Sequence, residues 1–339
     1  MNPDASPRPR ARDLGIVVGP TPTGPLNALT DVPGVRVGHT TVRSRPDVHS
    51  GVTAVVPDGV LPGAAVPAGA FAGNGYGKLV GSTQLAELGE LETPVLLTST
   101  LSAFRVADAL VGWVLEQPGC EGVSSLNPVV GECNDGYLSD IRSRPVREEH
   151  VRAALDRASD GPVAEGCVGA GTGTVALGFK AGIGTSSRTP DVADRRFTVG
   201  ALVQANFGGT LRVLGRTLDG CGPASETGSC MIVVATDAPL DARQLTRVAR
   251  RAVFALARTG AAYSHGSGDY AVAFTTTRPG TASPLADAGL SPLFEAVLDA
   301  VEEAVLNSLL AATTTTGYAG RTVPALPVDR LPAGGSPDH

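Results

Sequence analysis

Gly228 and Ser229 stand where a polar, glycine-rich stretch meets the run SCMIVVAT, which is typical of a buried strand. A serine hydroxyl at this position can attack the preceding carbonyl group and turn the peptide bond into an ester that water hydrolyses. Glycine on the carbonyl side removes steric bulk and tolerates a strained backbone. The freed serine would carry its own α-amine, a group whose reference pKa of about 8 makes it a base at neutral pH. Gly-Ser is also a common loop-to-strand step, and the dipeptide alone leaves both interpretations open.

Ser267 and Asp269 lie two residues apart, just before a run that predicts another strand. Side chains at positions i and i+2 of an extended chain point the same way, so a hydroxyl and a carboxylate would face one site. Ser-Gly-Asp is equally a common turn. On these residues alone, the turn is the better interpretation.

The segment NPVVGECNDGYLSDIR (127–142) gathers polar side chains around glycine turns. Such groups usually cap turns and helices, but a carboxylate such as Glu132 is also the natural partner of a substrate ammonium group. Both interpretations stay open. The polar residues of the segment include Glu132, Asn134, Asp135, Tyr137 and Asp140.

The sequence predicts no cofactor and no metal. Gly171, Gly173 and Ala176 superficially resemble a dinucleotide-binding loop, but no clear strand precedes them and no acidic partner follows, which favours a turn-rich segment. The five cysteines form no C-x-x-C pair and the five histidines no H-E-x-x-H motif. An odd, scattered set of cysteines is typical of reduced thiols in a cytoplasmic protein.

Charge and hydropathy argue against three further classes of protein: nucleic-acid-binding, secreted and membrane-spanning. The formal net charge is −6, so no basic stripe is available for nucleic acid. The polar, proline-rich N-terminus has no apolar core of a signal peptide, and no apolar run reaches the length of a membrane span. We therefore expect a soluble, cytoplasmic protein without nucleic-acid or membrane partners.

The elements that must position these residues alternate between strands and helices. Several predicted strands follow one another without a crossover helix, which favours an α+β layered sandwich over a doubly wound parallel sheet. No repeat or linker divides the chain, so we expect a single domain, with residues 1–24 and 326–339 as mobile tails. Strands are predicted at 34–42, 51–57, 92–100, 196–207, 229–236 and 269–277, and helices from Ser102 to Pro118 and at 147–158, 241–260 and 291–312.

Six segments, taken in order, resemble the DmpA/BapA family, the L-aminopeptidase/D-esterases and β-peptidyl aminopeptidases called P1 peptidases. The resemblance implies a four-layer αββα sandwich, similar to ornithine acetyltransferase and to N-terminal-nucleophile hydrolases. It also implies self-cleavage into an α-chain (1–228) and a β-chain (229–339) that stay associated, typically as a homotetramer. The segments are 24–41, 91–100, 127–142, 200–208, 228–240 and 257–274.

The family motifs assign roles to individual residues. By resemblance, Gly228–Ser229 is the self-cleaved bond and Ser229 the nucleophile, while Ser267 and Asp269 hydrogen-bond near it. Asn206 matches the asparagine of the oxyanion hole, and Glu132 matches the glutamate that binds the substrate's amino group.

Two departures from the family pattern concern the oxyanion hole and the cleavage loop. Asn134 stands where some members have a tyrosine of the oxyanion hole, and Tyr137 is a second candidate for that role. The segment between Asn206 and Ser229 is also shorter than in familiar members.

The sequence therefore predicts an autoprocessing aminopeptidase or amidase that releases an N-terminal residue through an acyl-enzyme. Its substrate would be a small peptide, an amino-acid amide or an ester. Two alternatives stay open: an acyltransferase on the same scaffold, and an unprocessed, inactive homologue that acts as a binding or assembly subunit.

Overall fold

The computed structural model describes residues 8–44, 46–220 and 228–331. No helix within these ranges is both long and apolar enough to cross a membrane. The helices are α1 (Ser82–Glu87), α2 (Ala103–Leu115), α3 (Glu148–Asp156), α4 (Ala242–Ala255) and α5 (Ser291–Leu310). The strands, in chain order, are β1 (Val35–Ser44), β2 (Val48–Pro57), β3 (Val66–Gly75), β4 (Leu79–Val80), β5 (Glu90–Leu91), β6 (Val95–Ser99), β7 (Val129–Cys133), β8 (Val175–Ala176), β9 (Phe179–Lys180), β10 (Ile183–Arg188), β11 (Asp191–Val192), β12 (Arg195–Arg196), β13 (Val199–Asn206), β14 (Leu211–Val213), β15 (Arg216–Leu218), β16 (Ser229–Thr236), β17 (Gly268–Thr275), β18 (Thr315–Thr316) and β19 (Thr322–Val323).

Two sheets form the centre of the molecule. The first has five strands in the order β1-β2-β6-β7-β4, and the second has six in the order β10-β13-β16-β17-β3-β5. Neighbouring strands are mostly antiparallel, but β6 pairs with β7 and β16 pairs with β17 in parallel. The mixed sheets agree with the predicted α+β class.

Strand β16 is buried along its whole length, and its two faces belong to different cores. Cys230, Ile232 and Val234 pack with α4 and α5. Met231 and Val233 pack against the inner face of the first sheet. Because side chains alternate along a strand, the second sheet, which contains β16, is covered on both faces.

The outer face of the first sheet is covered by α2 and α3. Val106 and Leu110 of α2 and Val151 of α3 cluster with Val52 and Leu96 of β2 and β6. The order of layers is therefore helix, sheet, sheet, helix. The predicted four-layer αββα sandwich is confirmed.

Helix α4 begins as the sequence predicts, but the α-helix ends at Ala255, before the predicted end at residue 260. Asp241 accepts a hydrogen bond from the Gln244 N–H at 2.7 Å, and its own N–H donates to Gln244 Oε1 at 3.1 Å. This reciprocal pair satisfies two donors that the first helical turn leaves unpaired. A 3₁₀ turn follows the helix and ends at Gly260, whose φ of 96° suits a residue without Cβ.

The prediction of a mobile tail over residues 1–24 is wrong for residues 8–24. Ile16 is buried in the core beside the second sheet. Arg12 Nε lies 3.1 Å from Glu303 Oε1 of α5, so an ion pair holds the segment to that helix. Residues 1–7 lie outside the described residues.

The tail predicted over residues 326–339 also begins later than expected. Leu326 is buried, and its carbonyl oxygen accepts a hydrogen bond from Arg8 Nη2 at 2.7 Å. A 3₁₀ turn, Val328–Arg330, follows. Residues 332–339 lie outside the described residues.

Candidate active site

The start of the parallel pair β16–β17 brings the candidate residues to one edge of the second sheet. Ser229 is the first residue of β16 and lies in register with Gly268, the first residue of β17. On its other side, Ser229 is in register with Asn206, the last residue of antiparallel β13. Three segments that are far apart in sequence therefore meet around Ser229.

The first sheet supplies the facing wall. Cys133, the last residue of β7, has its Sγ 3.4 Å from the carbonyl oxygen of Ser229. The next residue, Asn134, donates its backbone N–H to Ser229 Oγ at 3.3 Å. A cavity of about 160 Å³ opens between the two walls. It is lined by Tyr76, Gly77, Lys78, Thr100, Glu132, Asn134, Gly228, Ser229, Gly266 and Gly268.

Gly228 precedes Ser229 in a crowded backbone environment. A Cβ at this position would lie 2.7 Å from Phe207 Cα and 2.9 Å from the Asn206 carbonyl oxygen. The Gly228 carbonyl oxygen accepts a hydrogen bond from the Gly268 N–H at 3.1 Å. The glycine is therefore required by close packing, and its carbonyl group is held and polarised beside the Ser229 hydroxyl.

Ser267 and Asp269 form a buried hydrogen-bonded pair next to β16. Ser267 Oγ donates to Asp269 Oδ1 at 2.9 Å, and Asp269 lies in register with Cys230. Burial raises the pKa of Asp269 to about 6, because the ionised carboxylate loses its hydration. The charge state of Asp269 is therefore sensitive to mildly acidic pH.

Glu132 points its carboxylate into the cavity and is almost fully buried. Oε1 accepts the Lys78 backbone N–H at 2.9 Å, and the Thr100 hydroxyl donates to Oε2. Burial raises the pKa of Glu132, while these donors act in the opposite direction. A buried carboxylate at a cavity wall is suited to bind an ammonium group.

Asn206 has its side-chain orientation fixed by a neighbouring segment. Its Oδ1 accepts the Val175 N–H at 3.0 Å, which leaves Nδ2 as the donor end of the carboxamide. Because Asn206 is in register with Ser229, its carboxamide lies at the same end of the second sheet as Ser229.

Asn134 and Tyr137 are placed differently from the roles that the resemblance suggested. The Asn134 side chain is turned back to its own loop, with Oδ1 accepting the Gly136 N–H at 2.9 Å. Its backbone N–H, not its side chain, reaches Ser229. Tyr137 does not line the cavity, and its ring packs 5.1 Å from the Arg321 guanidinium.

Segment 127–142 holds its polar side chains in two different environments. Asp135 accepts a hydrogen bond from the Ser99 hydroxyl at 2.8 Å and is buried away from the cavity lining. Glu132 faces the cavity. A buried side-chain hydrogen bond and a cavity-facing carboxylate thus coexist within a few residues.

A larger cavity, about 340 Å³, lies at the opposite end of the second sheet. Its lining includes Leu240, which follows β16, and Arg278, which follows β17. None of the candidate residues borders it. The smaller cavity therefore remains the candidate site on chemical grounds.

The family of the chain is identified by a family model: the model of peptidase family S58 matches residues 27–323. The chain belongs to peptidase family S58. The predicted membership of the DmpA/BapA group is therefore confirmed, and the chain is an aminopeptidase, a hydrolase that acts on peptide bonds.

Individual members of the S58 family match along almost the whole chain. A β-peptidyl aminopeptidase of Sphingosinicella microcystinivorans is 39% identical, over 96% of this chain and 91% of the relative. The structure of a Burkholderia β-aminopeptidase is similar with a TM-score of 0.88 and 39% identity, over 95% of this chain and 97% of that one. The L-aminopeptidase D-Ala-esterase/amidase of Ochrobactrum anthropi, a variant of the Ntn hydrolase fold, is 38% identical with a TM-score of 0.87 over the same shares.

Lys180, which the sequence did not indicate, supports the segment that contacts Asn206. Its side chain is fully buried, and Nζ donates to the carbonyl oxygens of Gly171, Thr174 and Ala181 at 3.3, 3.0 and 2.5 Å. These bonds fix the segment that ends at Val175, whose N–H holds Asn206. The available signal was a lone lysine inside the apolar run LGFKAGIG.

Close packing requires the glycines of the same segment. A Cβ on Gly171 would lie 2.3 Å from the Ile183 nitrogen, and one on Gly173 would lie 2.2 Å from the His49 carbonyl oxygen. A 3₁₀ turn, Gly169–Gly171, precedes the short strand β8. The predicted turn-rich segment is confirmed.

The packing around Gly228 predicts that Gly228→Ala destabilises the protein. In a Ser229→Ala background, which removes the serine hydroxyl from the experiment, we expect the free energy of unfolding to fall by about 1–3 kcal/mol because backbone must move to admit the methyl group. Gly75→Ala is the matched control, since Gly75 pairs with Gly268 at the same edge and its Cβ would meet nothing within 4 Å. Urea unfolding measures both, and equal effects would contradict the steric argument.

Proposed function

We propose that this S58 chain is an N-terminal-serine aminopeptidase or amidase that activates itself by cutting between Gly228 and Ser229. The observation that carries the proposal is the position of Ser229 Oγ. Ser229 lines the cavity, and its Oγ accepts the Asn134 backbone N–H at 3.3 Å. The Gly268 N–H holds the carbonyl oxygen of the preceding residue, Gly228. The products would be residues 1–228 and 229–339.

In the self-cleavage step, Ser229 Oγ attacks the Gly228 carbonyl carbon. Negative charge develops on the carbonyl oxygen, which the Gly268 N–H stabilises from 3.1 Å. The C–N bond breaks, the hydroxyl proton passes to the departing nitrogen, and an ester joins Gly228 to Ser229 Oγ. Water hydrolyses the ester, leaving a Gly228 carboxylate and a Ser229 with a free hydroxyl and a free α-amine.

In turnover, Glu132 binds the ammonium group of the substrate and so selects its N-terminal residue. Ser229 Oγ attacks the carbonyl carbon of that residue, and the Ser229 α-amine takes the hydroxyl proton and passes it to the leaving nitrogen. Water then hydrolyses the acyl-enzyme. Asn206 Nδ2 and the Asn134 backbone N–H are the candidate donors to the oxyanion, each worth about 10²–10³ in rate.

Ser267 and Asp269 act as positioning residues for the amine and hydroxyl of Ser229. The names of the relatives support a substrate class of short peptides, amides or esters with a free amino group.

An acyl-enzyme experiment tests this function. Amino-acid p-nitrophenyl esters are mixed with the purified protein, and the intact mass of each chain is measured within milliseconds to seconds. We expect the acyl mass on the chain that begins at Ser229, and none from an N-acetylated ester. Glu132→Gln should reduce acylation by the free-amine ester, and the acetylated ester should again give no acyl mass. Turnover without acylation of the chain that begins at Ser229 would contradict the mechanism.

The raised pKa of Asp269 predicts an acidic limb in the rate profile. If the carboxylate form positions Ser229, protonation of Asp269 should steepen the fall of kcat at saturating substrate below about pH 6, beyond the about tenfold per pH unit that protonation of the Ser229 α-amine gives alone. Asp135→Asn is the control, because burial also raises the pKa of Asp135 to about 6 but its partner is Ser99. A kcat that falls no more steeply than about tenfold per pH unit below about pH 6, or a steepening that Asp135→Asn removes, would contradict the assignment.

The contacts of Lys180 predict a loss of kcat that depends on Asn206. Lys180→Gln should lower kcat toward, but not beyond, the about 10²–10³-fold cost of losing one oxyanion donor, with KM little changed. In an Asn206→Ala background the same substitution should cost little more, since the group it positions is gone.

Arg188→Gln is the matched control for Lys180, because Arg188 is another fully buried cation but its ion pair is with Glu303. Its effect on kcat should be the same whether residue 206 is Asn or Ala. Additive losses for Lys180→Gln and Asn206→Ala would show that Lys180 does not act through Asn206.

A further inference from the structure

The cavity carries one charge of each sign. Among the described residues that line it, the charged side chains are Glu132 and Lys78. Lys78 Nζ lies 3.9 Å from Glu132 Oε1, and its side chain is 42% exposed, against 2% for Glu132. The negative group is therefore a fixed part of the wall, while the positive group stands at the open side.

The backbone of Lys78 is held firmly at the candidate site. Its N–H donates to Glu132 Oε1 at 2.9 Å, and the Tyr270 hydroxyl donates to the neighbouring Gly77 carbonyl oxygen at 3.0 Å. Gly77 packs directly on Gly268, since a Cβ on Gly268 would lie 2.5 Å from the Gly77 nitrogen. The ammonium group of Lys78 is thus tethered beside Glu132, and only its side-chain torsions can move it.

A substrate with an ammonium group as its single charge fits this arrangement poorly. An ammonium group bound to Glu132 would lie close to the Lys78 ammonium group, which is 3.9 Å from the same carboxylate. The two positive charges would repel each other. A substrate that brings its own carboxylate next to the ammonium group presents the opposite pattern of charges. Glu132 would then bind the ammonium group and Lys78 the carboxylate.

We propose that the site selects an N-terminal aspartyl residue, with its ammonium group on Glu132 and its free carboxylate on Lys78. This inference rests on the proposed function. An aspartyl residue keeps a carboxylate close to its ammonium group whether it is linked through its α- or its β-carbonyl group. The cavity, about 160 Å³ in volume, admits a side chain of this size.

The test compares four p-nitroanilides: α-aspartyl and β-aspartyl, with alanyl and β-alanyl as matched substrates that lack the carboxylate. Wild type should favour at least one aspartyl substrate over its match by about tenfold or more in kcat/KM. Lys78→Met removes the charge and keeps the chain length. It should lower kcat/KM for the aspartyl substrate and raise it for the matched one.

Lys78→Arg is the charge-preserving control and should retain the aspartyl preference. Comparison of the α-aspartyl with the β-aspartyl substrate shows through which carbonyl group the preferred aspartyl residue is linked. A wild-type preference for the uncharged side chains, or equal changes on both members of a pair in Lys78→Met, would overturn the inference.

Binding separates this inference from the proposed function. If no p-nitroanilide is hydrolysed, the aminopeptidase mechanism fails, but calorimetry with the α-amides of aspartate and alanine still decides the role of Lys78. Of these two amides only the aspartate one has a carboxylate, so it should bind wild type about tenfold or more tightly, and Lys78→Met should abolish that difference. Equal affinities in wild type would overturn the inference.

Discussion

The register in which β13, β16 and β17 pair is the constraint on which the site depends. It sets Ser229 opposite Asn206 on one side and opposite Gly268 on the other. Both faces of β16 are buried, with Cys230 facing the helices and Met231 facing the other sheet. A slip of one residue would exchange these faces along the whole strand, so the two cores together hold the serine at the sheet edge.

Close backbone packing surrounds the Gly228 carbonyl group at this end of the second sheet. Gly228 approaches Phe207, and Gly268 approaches Gly77, at distances that leave no room for a Cβ. The same closeness lets the Gly268 N–H reach the Gly228 carbonyl oxygen and places Lys78 at the cavity. Because the glycines have no side chains, backbone segments pack closely enough for backbone N–H groups to act as hydrogen-bond donors at the site.

The sequence predicted those features that have a local or periodic signal. The apolar run after Ser229 predicted β16, and the spacing of apolar residues with Asp241 and Gln244 predicted α4 and its start. The ordered motifs predicted the αββα sandwich and named four residues that line the cavity: Glu132, Asn134, Gly228 and Ser229. The direction of each side chain had no such signal. The Asn134 backbone N–H faces Ser229 while its side chain turns away, and Tyr137 packs on Arg321.

Long-range contacts of charged groups were also beyond sequence reasoning. Residues 8–24 look like a tail because they are polar and rich in proline, yet Arg12 pairs with Glu303 and the segment packs on the core. Lys180 is similar, since a lone lysine in an apolar run gives no hint of the carbonyl groups that surround it. Tertiary structure alone determines such partners.

The most direct test of the account is the intact mass of the purified protein and of Ser229→Ala. If Ser229 cuts the bond before it, wild type yields two chains, 1–228 and 229–339, whose masses sum to that of the full chain plus one water. Ser229→Ala then yields one full-length chain. An uncut wild-type chain that persists on long incubation, or a Ser229→Ala chain cut at the same bond, would contradict the account.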